Sequence, residues 1–233
     1  METWLSWARG PFFWASLTFM FLGLARHVFV TVWEVVRATR RAGDKRIPHR
    51  KIAAVTLAWL LPFGKIKSRL AFGLTSLVFH IAIILVPLFL AGHVALWQRN
   101  TGLSWPAIPH LLADVLTVTA VLTAVCLVLQ RAIAKDTRRL SRFQDYFLPL
   151  FIAVPFASGF LVMHPAWNPF PYEPTLLAHV ISGNVLMILL PLTKLSHCVL
   201  LPGTQLVSEL AWHWPPDAGS RVGIALGKEG EPV

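Results

Sequence analysis

The chain has 233 residues, of which 55% are hydrophobic and 14% are charged, and its formal net charge is +10. A soluble domain usually carries about 25% charged residues, so this composition excludes an ordinary soluble domain and indicates a membrane protein. The lysines and arginines fall between the apolar segments, which argues against a nucleic-acid-binding surface. The two cysteines, Cys126 and Cys198, form no C-x-x-C-H motif, so we expect neither a covalently attached haem nor a thiolate metal site.

The first apolar segment follows a short amphipathic N-terminus and predicts a membrane span over about residues 11–36. Arg26 and His27 interrupt it, and their side chains should face protein, cofactor or the inner interface because charge is costly in lipid. A basic connector follows over residues 37–69. Within it, residues 52–64 are apolar but too short to cross, which predicts a short interfacial helix on the membrane surface.

The remaining apolar segments predict four further spans, over about residues 70–97, 108–134, 146–163 and 175–201. The last residues are polar and contain Pro215-Pro216 and scattered glycines, which predicts an extended tail. We therefore expect an all-α membrane protein: a five-transmembrane-helix bundle over residues 1–201 and a tail over residues 202–233. Trp212, Trp214 and the two prolines make this tail our candidate for docking a partner.

The distribution of positive charge predicts the orientation of the spans. The connectors after spans one and three hold fifteen lysines and arginines, ten in residues 37–69 and five in residues 131–142. The connectors after spans two and four hold one, Arg99. The positive-inside rule then places the N-terminus outside and the C-terminus in the cytoplasm.

Two of the spans carry a histidine near each end: His80 and His93 on the second, His179 and His197 on the fifth. Eighteen residues of continuous helix make five turns, so His179 and His197 should leave one face about 27 Å apart, close to the thickness of a bilayer core. The predicted orientation pairs His80 with His197 near the cytoplasm and His93 with His179 near the outside. The spacing from His80 to His93 is not a whole number of turns, and Pro87 between them is expected to kink the span.

Two imidazoles at each of two depths are what two haem b groups need as axial ligands. Gly92 and Gly183 should let a flat macrocycle approach the backbone. Lys194 and Arg26 are candidates for binding the haem propionates. For any single histidine the alternative is a polar group that bonds a neighbouring helix, and His27 is an alternative inner ligand.

His110 and Asp114 lie four residues apart at the outer start of span three and should share one helix face. Near an outer haem such a pair is a candidate quinone site, which binds a quinol hydroxyl and accepts its proton. The alternative is a helix start with a capping carboxylate and a solvated imidazole. His164 has a weaker claim of the same kind.

A family resemblance rests on the two spans that carry the histidines. The segment LMILLPLTKLSH, residues 186–197, has a basic residue three before its histidine, and another histidine lies eighteen before that one. Together with Phe79-His80 and Gly92-His93, it resembles the gamma subunit of membrane-bound respiratory nitrate reductase, over roughly residues 10–201. The resemblance implies a dihaem cytochrome b, with outer ligands His93 and His179 and inner ligands His80 and His197. It also implies quinol oxidation near the outer haem and electron transfer inward to a cytoplasmic iron–sulfur subunit.

We therefore expect a membrane-anchoring electron-transfer subunit of a quinol-dependent oxidoreductase complex in a bacterial or archaeal cytoplasmic membrane. Its partners would be the iron–sulfur subunit, membrane lipid and the quinone pool. The chain has no motif for chemistry on a terminal substrate, so that chemistry would belong to another subunit. The alternatives are a stand-alone transmembrane haem reductase without a docked partner and a haem-free membrane scaffold or transporter.

Overall fold

The computed structural model describes residues 1–41, 49–60, 70–211, 214–215 and 217–231, and every regular element in these ranges is helical. The α-helices are α1 (Glu2–Arg9), α2 (Pro11–Arg41), α3 (His49–Leu60), α4 (Leu70–Phe89), α5 (Ala91–Thr101), α6 (His110–Ile133), α7 (Lys135–Leu140), α8 (Phe143–Met163), α9 (Tyr172–Leu192), α10 (His197–Leu210) and α11 (Ala218–Ala225). Short 3-10 turns lie at Pro165–Trp167 and Lys194–Ser196.

Within the described residues, five helical stretches are long and apolar enough to cross a membrane: Glu2–Arg41, which contains α1 and α2, and then α4, α6, α8 and α9. This confirms the predicted all-helical chain with five apolar helices, as expected of a multi-pass membrane protein. The predicted short helix in the basic connector is present as α3, which begins at His49. Its predicted end at residue 64 lies outside the described residues. Its place at the membrane surface and the orientation of the spans stay predictions.

The chain forms two compact units. The first takes in Met1–Leu17 and the described part of Lys65–Ile188, and the second takes in the described parts of Thr18–Gly64 and Leu189–Val233. In the first unit, α6 packs against both α4 and α8. A stripe of mostly small residues at helical spacing is buried along α6: Ala113, Thr117, Ala120, Ala124 and Leu127. Small side chains let apolar helices approach closely, so this stripe explains why α6 lies at the centre of the packing.

The helices of the first unit alternate in direction. The end of α6 lies beside the start of α4, where Gln130 Nε2 donates to Thr75 Oγ1 at 3.1 Å. The basic helix α7 follows directly, so we call this the basic end of the unit. At the opposite end, the start of α6 meets the end of α8 through Asp114 and His164. The backbone N–H of Ile108, just before α6, also bonds the end of α4 there.

In the second unit, α3 packs on α10. A Cβ at Gly203 would lie 2.7 Å from Cγ2 of Thr31, so glycine lets α10 approach α2 closely. The predicted extended tail is therefore wrong over much of its length, since α10 runs through the Pro202-Gly203 step to Leu210 and α11 follows. Packing against α2 and α3 outweighs the helix-breaking tendency of these two residues. The predicted boundary at residue 201 falls inside α10.

The tail residues proposed for docking are only partly described. Trp214 and Pro215 follow α10, whereas Trp212 and Pro216 lie outside the described residues.

The N-terminal helix α1 is held in the first unit by a buried hydrogen bond. Its apolar face is buried at Leu5 and Ala8. Asn184 of α9 is 2% exposed, and its Nδ2 donates to the carbonyl of Ala8 at 2.8 Å. Carbonyl groups in the last turn of a helix lack a hydrogen-bond donor within that helix. Asn184 therefore supplies the donor for the Ala8 carbonyl, which the apolar side chains around it cannot supply.

Replacing Asn184 with Ala should lower the free energy of unfolding in detergent by about 0.6–2 kcal/mol, because the Ala8 carbonyl loses its partner. The matched control is Asn100→Ala, since Asn100 is exposed and its Nδ2 bonds the Leu96 carbonyl within the same helix. We expect the control to change stability by less than about 0.5 kcal/mol. Equal effects of the two variants in thermal or denaturant unfolding would contradict this role for Asn184.

Candidate functional site

The chain between His80 and His93 is broken rather than kinked. Leu90 is extended, with φ −65° and ψ 131°, and α5 begins at Ala91. Pro87 lies in the last turn of α4 and has no N–H to donate, which weakens the helix just before the break. His80 and His93 therefore lie on separate helices, so the fractional-turn spacing does not determine where His93 points.

Three carbonyl groups at the end of α4 lose their helical partners at this break, and each finds another donor. His93 Nδ1 bonds the carbonyl of Pro87 at 3.1 Å. Trp105 Nε1 donates to the carbonyl of Leu88 at 2.7 Å, and the N–H of Ile108 donates to that of Phe89 at 2.9 Å. All three carbonyls are thus hydrogen-bonded, and the bond to Pro87 directs the His93 ring.

His179 of α9 is held against α8 in a similar way. Its Nδ1 bonds the carbonyl of Pro155 at 2.8 Å. A Cβ at Gly159 would lie 2.9 Å from His179 Cε1 and 3.0 Å from its Nδ1. Only glycine therefore leaves room for the imidazole to reach that carbonyl.

The rings of His93 and His179 lie close together with their centres 6.0 Å apart and their planes 5° from parallel. A carbonyl can only accept, so Nδ1 of each ring carries the hydrogen and Nε2 carries the lone pair. Two imidazoles that bind one metal from opposite sides, with bonds of about 2 Å, have their centres about 6 Å apart. The predicted outer pair is thus brought together, with a distance between ring centres that is compatible with two ligands of one iron.

The glycines next to these ligands would not obstruct a flat macrocycle. A Cβ at Gly92 or Gly183 would meet no atom within 4 Å, so the backbone next to His93 and one turn beyond His179 borders open space. Among the residues that the structure describes, no three His, Cys, Asp or Glu side chains gather as a metal bound by protein alone would need. Haem iron takes four ligands from its porphyrin and requires two from the protein, so the residues present fit this group.

The predicted inner ligands show the same Nδ1 pattern, each within its own unit. His80 Nδ1 bonds the carbonyl of Ser76 at 2.7 Å in the first unit. His197 Nδ1 bonds the carbonyl of Lys194 at 2.8 Å in the second. Nδ1 of both rings therefore carries a hydrogen, as it does in His93 and His179. Lys194 and Arg26, the candidates for the haem propionates, have exposed side chains.

The predicted continuous helix from His179 to His197 is not present, because α9 ends at Leu192. Thr193 is extended and its side chain accepts from the N–H of Leu195, and α10 then begins at His197 itself. The prediction that His179 and His197 lie five whole turns apart on one helix face is therefore wrong. Pro191, which has no N–H to continue the helix, lies directly before this end.

His27, the alternative inner ligand, has a structural partner instead. Its Nε2 bonds the carbonyl of Pro191 at 2.8 Å, and Gly23, one turn earlier on α2, is in close contact with the Pro191 ring. His27 thus bonds a carbonyl through Nε2, whereas the four predicted ligands bond carbonyls through Nδ1. It satisfies a carbonyl at the end of α9, which argues against a role in binding iron.

Asp114 pairs with a histidine other than the predicted one. Asp114 Oδ2 lies 3.3 Å from His164 Nε2, whereas His110 is exposed at the first position of α6. His164 Nδ1 bonds the carbonyl of Phe160 at 2.9 Å. The ring of His164 is flanked by those of Phe160, at 4.2 Å between centres, and Trp167, at 5.7 Å. Only the antiparallel order of the helices could have indicated this pair, since the two residues are fifty positions apart.

Comparison with known proteins adds one relative. No protein-family model matches the chain, and no solved structure matches it. A protein of Nitratidesulfovibrio vulgaris Hildenborough, described only as "Protein", is 38% identical over 202 residues, which cover 82% of this chain and 85% of the relative. The chain therefore belongs to the same protein family as this Nitratidesulfovibrio vulgaris protein.

Proposed function

We propose that this chain is the membrane-anchoring dihaem cytochrome b subunit of a respiratory redox complex. In this role it exchanges electrons between the quinone pool and a peripheral iron–sulfur subunit. The observation that carries the proposal is the pair of parallel imidazoles, His93 and His179, each held by a backbone carbonyl through Nδ1.

The alternative, in which each histidine only bonds a neighbouring helix, accounts for one nitrogen of each ring. Within the described part of the chain, Nε2 of His93 and of His179 has no hydrogen-bond partner. The second nitrogen of each ring is therefore available to bind a metal, and two such nitrogens belong to neighbouring rings. The structural alternative does not explain why the two rings lie together, so the arrangement favours a ligand role.

A haem bound between His93 and His179 supplies one-electron transfer. The two imidazoles would fill both axial positions, so the site favours electron transfer over oxygen binding. The carbonyls of Pro87 and Pro155 orient the rings and increase the electron density that each Nε2 offers. Gly159 keeps the His179 ring within reach of its carbonyl.

A second haem b is proposed at His80 and His197, with Lys194 and Arg26 near its propionates. The support for this site is the shared Nδ1–carbonyl pattern of the two histidines. The basic end of the first unit lies opposite the end where Asp114 meets His164. If the positive-inside rule holds for this chain, the His93–His179 pair lies toward the outer face. Quinol would then be oxidised there, and electrons would pass inward to the cytoplasmic partner.

The purified chain should contain two haem b groups and give a sharp α-band in a reduced-minus-oxidised spectrum. Replacing His179 with Ala should remove one haem and leave the other, because only the outer iron loses a ligand. His49→Gln, a change at an exposed position of the second unit, should retain both. Absence of an α-band from the wild-type protein would leave only a scaffold or transporter, and retention of both haems in His179→Ala would refute the ligand assignment.

Gly159→Val should also remove the outer haem, because the new side chain would occupy the position of the His179 imidazole. The matched control is Ala157→Val, which enlarges an exposed residue of the same helix and should keep both haems. Haem content per polypeptide is the measurement. A full complement in Gly159→Val would show that the close contact with His179 does not position the ligand.

An iron–sulfur subunit, identified by acid-labile sulfide and its paramagnetic resonance signal, should co-purify with the full chain from native membranes. Truncation after Ala211 should release this subunit and leave the haem content unchanged, because the cut spares α10, which packs on α3. A haem-loaded full chain that purifies without any such subunit would instead identify a stand-alone haem reductase.

A further inference from the structure

The carboxylate of Asp114 and the imidazole of His164 lie close together but do not form a short hydrogen bond with each other. Their 3.3 Å separation is longer than the about 2.7–2.9 Å of a charge-assisted hydrogen bond. The side chains are 37% and 28% exposed respectively, so a ligand can reach both. His164 Nδ1 donates to the carbonyl of Phe160, which leaves Nε2 as the nitrogen that can take up a proton.

The pair lies close to the outer imidazoles along α8. Gly159 contacts His179, and His164 follows five residues later, about 7.5 Å along the helix axis. Phe160, next to Gly159, packs its ring on that of His164. The helix that positions His179 therefore also positions His164, the histidine of the pair.

Aromatic rings flank the imidazole on this side of the unit. Phe160 and Trp167 lie within 4.2 and 5.7 Å of the His164 ring centre, and Trp167 is 70% exposed. Rings of this kind pack favourably against a flat aromatic ligand. A proton acceptor beside an accessible aromatic surface suits a molecule with a flat ring and an acidic hydroxyl group.

We propose that Asp114 and His164 bind a hydroxyl group of a hydroquinone and take up its proton; this inference rests on the proposed function. The O–H bond of the hydroquinone breaks as an N–H bond forms at His164 Nε2. The Asp114 carboxylate stabilises the resulting imidazolium and passes the proton to water. The proton of the second hydroxyl, at the opposite end of the ring, passes to water. The product is the quinone, and a haem held by His93 and His179 would accept the two electrons one at a time.

A competing location is a cavity of about 440 Å³ between α1 and α9, also in the first unit. It is lined by the exposed charged side chains of Glu2, Arg9 and Glu173 together with smaller polar and apolar residues. An apolar quinone ring favours a site with few charges. The cavity therefore fits this ligand less well than the aromatic surroundings of His164.

The test uses the purified haem-loaded chain and a water-soluble short-chain naphthoquinone, whose binding is followed by quenching of tryptophan fluorescence. His164→Gln should raise the dissociation constant by about tenfold, as expected for one lost hydrogen bond to the ligand. Trp167→Phe should reduce the amplitude of the quench, since this ring would contact the ligand. His49→Gln is the matched control and should bind as the wild type does.

Turnover with the corresponding hydroquinone and an artificial electron acceptor separates binding from proton uptake. Asp114→Asn should lower kcat by about 10²-fold or more with little change in KM, because the amide cannot take part in proton transfer. A purely structural role would change haem content or KM instead. A photoreactive azidoquinone should label the wild-type protein in residues 160–167.

Different results would contradict the proposed function and the assignment of the quinone site to Asp114 and His164. A wild-type chain without haem overturns the proposed function. Variants that keep both haems and also keep wild-type quinone affinity and kcat overturn the assignment to Asp114 and His164. The same conclusion follows if the azidoquinone labels residues 172–176, or if Glu173→Gln produces the loss in place of His164→Gln.

Discussion

The structure depends on one constraint: in an apolar helical protein, polar groups of the backbone and of the histidines must find hydrogen-bond partners within the protein. Three helices of this chain contain prolines whose carbonyls are bonded by histidines. His93 bonds Pro87, His179 bonds Pro155 and His27 bonds Pro191. These bonds direct each ring and decide which of its nitrogens keeps a lone pair. The distinction between the proposed ligands and the structural histidine follows from that choice, since His27 alone of the three donates through Nε2.

The helix α6 supplies the spacing on which these contacts rest. It contains no candidate haem ligand, yet its small buried residues bring α4 and α8 to either side of it. The end of α4 leads to His93, and α8 offers the carbonyl and the glycine that receive His179. Asp114 extends from the same helix to His164. One apolar helix with a small-residue stripe thus positions both the proposed electron-transfer site and the proposed proton acceptor.

Hydropathy and charge predicted the helical class, the five apolar helices and the pairing in depth of His93 with His179. Helix periodicity predicts the direction of a side chain only within an unbroken helix, so it fails for His93 and His197. The break at Leu90 and the end of α9 at Leu192 both depend on donors distant in the chain, which no local spacing reveals. Sequence spacing favours His110 over His164 as the partner of Asp114 for the same reason, because His164 lies on another helix. The α10 helix was missed because packing overrides Pro202 and Gly203.

The carbonyl bonds of His93 and His179 have a consequence for the biogenesis of the protein. Both side chains already carry a hydrogen on Nδ1 and are already oriented by backbone groups of their own unit. Binding of the proposed haem would therefore require no search among rotamers, so little ordering entropy would be lost at that step. The polypeptide would complete insertion and folding first and receive its prosthetic group as a late maturation event.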